Sequence, residues 1–88
     1  MKKYIEQPKI IEAIQWDGTK EEAIKILAIE NVYGKVIIRD KVFKGFFIEL
    51  FNKEVKVEPG DYIVKDWHGD VDLMSKKIFE KLYKLSKN

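Results

Sequence analysis

The chain has no cysteine, one histidine and two prolines, and Arg39 is its single arginine. Without cysteine there is no disulfide framework, no zinc–thiolate centre and no thiol nucleophile, and the usage fits a reducing cytoplasm. A lone histidine does not furnish the common transition-metal clusters. The acidic residues are scattered, with no spacing that matches a calcium loop. No glycine-rich phosphate loop is present. The reading is therefore a non-enzymatic protein with no cofactor and no metal. No apolar run approaches the roughly 20 residues that span a bilayer. The opening Met1-Lys2-Lys3-Tyr4-Ile5-Glu6-Gln7-Pro8 is basic but lacks the apolar core of a signal peptide. A cytoplasmic protein with no membrane partner is expected.

Basic charge is abundant but of one kind. Sixteen of the 17 basic residues are lysine, and the net charge is only +2. Arginine is the usual fork for phosphate and guanine, whereas lysine acts as a solvated point charge. Nucleic acid is accordingly the least favoured partner. With 88 residues, of which 45% are hydrophobic, the chain suits one small domain spanning residues 1–88. A domain of this size buries only about 60–65% of its unfolded surface, so its stability is marginal.

The segment Val57-Glu58-Pro59-Gly60-Asp61-Tyr62-Ile63-Val64-Lys65 organises the rest. Pro59 presets the second position of a tight turn, and Gly60 supplies the positive φ that a type II turn needs next. Asp61 can tie its carboxylate to nearby amides, and a strand leaves from Tyr62. Upstream, residues 10–16 read as a strand with poor alternation, as expected of a strand covered on both sides or bulged. Thr19-Lys20-Glu21-Glu22 is a capping box that opens a helix to about Glu30. Its apolar stripe is Ala23, Ile24, Leu27 and Ala28, with Ile26 beside it. Strands are expected at residues 35–39, with a short extension at 42–44. A further strand at 46–51 would place Phe47, Glu49 and Phe51 on one face. Asn52-Lys53 links it to a strand at 54–57 with Val55 and Val57 inward. A turn at residues 66–70, with Gly69 free to take positive φ, leads to a strand at 71–74. Ser75 caps a last helix to about Leu85, with Ile78, Phe79, Leu82 and Tyr83 as its buried stripe and a Glu80–Lys84 pair. The order β-α-β-β-β-β-β-α gives an α+β fold: a curved, mostly antiparallel sheet, partly open and barrel-like, carrying two helices.

Two blocks resemble a known group. One is Ile11-Glu12-Ala13-Ile14-Gln15-Trp16-Asp17-Gly18. The other is Gly60-Asp61-Tyr62-Ile63-Val64-Lys65, then Gly69-Asp70, then Ile78-Phe79-Glu80-Lys81-Leu82-Tyr83. Together they resemble a family of small, mostly uncharacterised phage and prophage proteins of low-GC Gram-positive bacteria. The resemblance covers both ends and is weak over residues 29–55. It implies a phage or mobile-element origin, a cytoplasmic setting and an accessory role, and it brings no established catalytic residues. The chain departs from the family at Trp67-His68-Gly69-Asp70, where members usually carry Lys or Val before Gly-Glu. It departs again at Val71-Asp72-Leu73-Met74-Ser75, where they usually carry Tyr-Pro-Cys-Lys-Pro.

His68 is the one candidate base, between Trp67 and Gly69 with Asp66 and Asp70 near in sequence; the plain alternative is an exposed turn histidine. Trp16 and Trp67 could stack on a ring, with Lys65, His68 and Arg39 meeting anionic groups; the alternative for both tryptophans is packing. Phe47 and Phe51 could bury against a second copy or a host protein, or lie under a helix. The leading expectation is a stoichiometric binder that sequesters a nucleotide-like host immune signal through Trp16, Arg39, Lys65, Trp67 and His68, with a homo-oligomer favoured. The alternatives are an inhibitor of a host protein acting through Phe47 and Phe51, or a small nucleic-acid-binding regulator.

Overall fold

Glu58, Pro59, Gly60 and Asp61 form the expected tight turn. Gly60 stands at φ +95°, and the Asp61 amide donates to the Glu58 carbonyl at 3.0 Å. The Glu58 amide donates to Asp61 Oδ2 at 2.9 Å, so the carboxylate fastens the corner from inside. A residue with a Cβ would be strained at this φ, although the space around Gly60 is open.

The computed structural model describes residues 11–83. Its elements are β1 (Glu12–Gln15), α1 (Lys20–Leu27), β2 (Gly34–Arg39), β3 (Val42–Leu50), β4 (Lys53–Val57), β5 (Tyr62–Lys65), β6 (Val71–Met74) and α2 (Lys76–Leu82). The α+β class and the element order agree with the sequence reading. The strands, however, are divided between two antiparallel three-stranded sheets, β1-β5-β6 and β2-β3-β4, and they do not close into a barrel. The proline–glycine corner is where the chain leaves the second sheet at Val57 and enters the first at Tyr62.

Trp16 locks this crossing. Its amide donates to the Asp61 carbonyl at 2.9 Å, and its carbonyl accepts from the Gly60 amide at 2.8 Å. The Gln15 side chain adds a bond from Nε2 to the Gly60 carbonyl at 3.1 Å. The indole is 3% exposed, and its Nε1 donates to the Thr19 carbonyl at 2.8 Å. Its ring meets Phe43 and Phe46 of β3 edge to face, at centroid distances of 6.0 and 5.2 Å. Such pairs add roughly 0.5–1.5 kcal/mol beyond the buried area. One residue from the end of β1 thus binds the corner with its backbone and the other sheet with its ring.

The core closes around it. Ala23 and Ile26 of α1, Val32, Phe46 and Ile48 of β3, Val57 of β4 and Ile63 of β5 are all buried in one cluster. The helical stripe runs through Ala23, Ile26 and Leu27, not through Ile24 and Ala28, which are exposed. That is a rotation of the expected face, and the helix ends early at Leu27. Thr19 caps it as expected, its Oγ1 accepting from the Glu22 amide at 3.2 Å. The Thr19 amide donates to Asp17 Oδ1 at 2.9 Å instead of to Glu22. β1 is an edge strand and is mostly exposed, so its broken alternation reflects its edge position and not burial on both faces. In β3, Lys44 is the extra residue of a bulge, since Ile37 pairs with Gly45 and Ile38 with Phe43.

Helix α2 departs most from expectation. Ser75 caps it at the Ile78 amide, but none of its residues is buried, and Ile78 and Leu82 are exposed. It is held by Phe79, which stacks on Tyr62 of β5 with ring centroids 3.9 Å apart and planes 11° from parallel. Lys84 and Leu85 lie outside the described residues, as does Ile10.

Two outcomes follow from this join. Trp16→Ala is expected to cost about 3–5 kcal/mol, a large part of the stability of so small a domain. Gly60→Ala is expected to cost about 1–2 kcal/mol through backbone strain alone. Urea unfolding of the two variants checks both, and equal losses would contradict the assignment. Asp17 gives the second outcome. Its carboxyl is held below its ordinary value of 3.8, first by the Thr19 hydroxyl and then by the Thr19 amide. A depressed native value stabilises the fold above the unfolded value and loses that stabilisation as pH falls through the native one. The stability advantage of wild type over Asp17→Asn is therefore expected above pH 3.8 and to vanish below it. Thermal melts across that range test it, and an advantage independent of pH would refute it.

Candidate functional site

The β5–β6 hairpin is built by Asp66. Its Oδ1 accepts from the amides of His68 at 2.8 Å and Asp70 at 2.9 Å. Its carbonyl accepts from the Gly69 amide at 3.0 Å, and its amide donates to the Asp70 carbonyl at 2.9 Å. Gly69, at φ +88°, completes a three-residue loop of Trp67, His68 and Gly69. A single aspartate thus fixes the loop so that Trp67 stands out, 53% exposed. The His68 ring lies beside the indole at 5.1 Å, tilted by 44°.

The loop after α1 meets this hairpin. Asn31, at φ +71°, comes against Gly69, and Lys65 Nζ donates to the Glu30 carbonyl at 3.2 Å. Trp67 is a ridge between two open depressions. On one side, a polar depression of about 430 Å³ holds Lys65 and His68 among the side chains of Glu12, Glu30 and Asp66. On the other, an apolar groove of about 360 Å³ is lined by Val64, Val71, Met74, Tyr83 and Phe51. Its charged residues are Asp66, Asp70 and Asp72.

Lys65, Trp67 and His68 therefore come together as expected. Trp16 and Arg39 do not join them. Trp16 is consumed by the core, with its ring against Phe43 and Phe46, so the expected stacking role is corrected to a structural one. Arg39 is exposed at the end of β2 and lines neither depression. The depression expected to meet anionic groups through Lys65, His68 and Arg39 is lined by Lys65 and His68 together with the acidic residues Glu12, Glu30 and Asp66, and not by Arg39. Among the described residues, no group of three or more His, Cys, Asp or Glu side chains is placed to hold a metal. No helix among them is long and apolar enough to cross a membrane.

Phe47 and Phe51 do not share a strand face. The β3–β4 turn is Phe51-Asn52, because Leu50 pairs with Lys53, one residue earlier than the sequence suggested. Phe47 is half-buried with its ring over Gly45. Phe51 is 90% exposed in the left-handed region at φ +51°, followed by Asn52 at +64°. Such primed turns favour Asn-Gly or Asp-Gly, and a bulky residue there is a genuine outlier. The sequence signal for this is the Phe-Asn pair between two alternating strands, and the turn falls one residue before the expected Asn52-Lys53. In the sequence Asp70 stands out only as a neighbour of His68, and Asp72 carries no signal.

Comparison of the chain with protein-family models, curated proteins and solved structures gives no match.

The geometry at Phe51 generates an unusual outcome. Phe51→Gly is expected to stabilise the fold by about 1 kcal/mol, because it relieves the left-handed strain and gives up almost no buried surface. A higher urea midpoint in the variant checks this, and a midpoint lowered by a comparable amount would show that the ring supports the fold.

Proposed function

We propose that this protein acts by stoichiometric binding of another protein, using the Trp67 ridge and the apolar groove beside it. The observation that carries this reading is the pairing of two exposed aromatic rings from two hairpins, Trp67 and Phe51, on one apolar depression. Large aromatic side chains that stay exposed on a small domain are the residue types that dominate binding energy when a partner covers them. The Asp66 carboxylate is engaged by backbone amides, which suits a loop built to present Trp67 rather than to move protons. In the cytoplasmic, phage-type setting that the motif resemblance implies, such a protein would block or redirect a host protein, and self-association through the same rings is part of the proposal.

The nucleotide reading is the weaker one. It keeps Trp67, Lys65 and His68 but loses Trp16 and Arg39, and three carboxylates would oppose an anionic ligand. Capture from the lysate of a low-GC Gram-positive host, run beside nucleotide calorimetry and mass measurement in solution, separates the readings. One stoichiometric protein band, or a defined homo-oligomer, is expected, and either is to be lost in Trp67→Ala while stability stays within about 1 kcal/mol of wild type. Tight nucleotide binding with no captured protein would replace this reading.

A further inference from the structure

The groove has a sign. Although the chain is net positive and carries 17 basic residues, no Lys, Arg or His lines this depression among the described residues. Its charges are Asp66, Asp70 and Asp72. Among the described residues, Lys65 and His68 line the neighbouring depression, across the Trp67 ridge, and not this one. Asp70 and Asp72 are exposed, and they lie on either side of Val71 at the start of β6.

The groove also carries a ring that is almost fully exposed among the described residues. Phe51 sits in a backbone conformation that a bulky residue adopts at a cost, and 90% of its surface is in solvent. Among the described residues, neither packing nor turn preference accounts for the ring at this position. A strained position held without internal compensation points to a role outside the folded chain.

Resting on the reading of this groove as the working surface, we propose that it takes a basic, apolar-anchored polypeptide segment of a partner protein. A large aliphatic or aromatic side chain enters between Phe51 and Trp67 over Val64 and Met74. A flanking lysine or arginine is met by Asp70 and Asp72. The aromatic walls favour the same cation, since ammonium and guanidinium groups are attracted to ring faces. An acidic segment is repelled by the same carboxylates, which gives selectivity as well as attraction.

The test is selection of random 12-residue displayed peptides on the full chain, followed by titration of the enriched peptides. The variants are Phe51→Gly, Trp67→Ala and the double change Asp70→Asn with Asp72→Asn. Enriched peptides are expected to carry Lys or Arg next to a large apolar residue. Each variant is expected to weaken them about tenfold or more, and salt is expected to weaken them in wild type but little in the double variant. Peptides that depend on Trp67 but are acidic or neutral, or that ignore the Asp70/Asp72 change, overturn the basic-partner inference and leave the protein-binding reading standing. Failure to enrich any peptide that depends on Trp67 or Phe51 overturns both. That outcome includes a groove filled by the chain's own terminal residues.

Discussion

Trp16 is the residue on which the rest of the structure depends. Among the described residues the two sheets share no ladder, so the chain needs another way to hold them at a fixed angle. It does so by closing a pair of backbone hydrogen bonds between Trp16 and the proline–glycine corner, while the indole packs on Phe43 and Phe46 of the opposite sheet. The indole nitrogen is satisfied by the Thr19 carbonyl, so its burial leaves no polar atom unpaired. That bond also fixes where α1 begins, and α1 covers the core with Ala23 and Ile26. Sheet, sheet and helix are thus referenced to one side chain. An 88-residue chain has little surplus stability with which to tolerate a looser join.

Local chemistry was readable wherever a residue type has a backbone consequence. Pro59-Gly60 specified its turn, Asp61 its internal tie, Thr19 and Ser75 their caps, and Gly69 its left-handed position. The alternation in β4 correctly turned Val57 inward. These features depend on contacts within a few residues. What stayed hidden depends on partners far along the chain. The poor alternation of β1 could not reveal an edge strand, because the neighbour that decides it, β5, lies 53 residues on in the pairing of Glu12 with Lys65. Periodicity gave an amphipathic α2, yet Ile78 and Leu82 lack anything to cover them among the described residues, and the helix is pinned by one stacked ring pair.

The candidate site divides in the same way. Trp67 was legible because Asp66, His68 and Gly69 surround it with turn chemistry, and turns present side chains. Trp16, equally aromatic and equally next to a turn, proved to be the core residue. The difference lies in what each turn faces: one closes on the corner between the sheets, the other projects beyond β5 and β6. Phe51 lies one residue from the expected strand face, and in a hairpin one residue exchanges a strand face for a turn tip. The acidic lining of the groove arises from Asp66, Asp70 and Asp72 meeting Phe51 from a different sheet, a juxtaposition that no sequence window contains.

Native-state hydrogen exchange at Trp16 and Gly60 tests the central claim most directly. Both amides bond across the join, to Asp61 and to Trp16 itself. If this join holds the sheets together, the two amides exchange only when the whole domain unfolds, with the same free energy as the amides of Phe46 and Ile63. Exchange through a local opening, well before the core amides, would show that the corner frays independently and that something else fixes the two sheets.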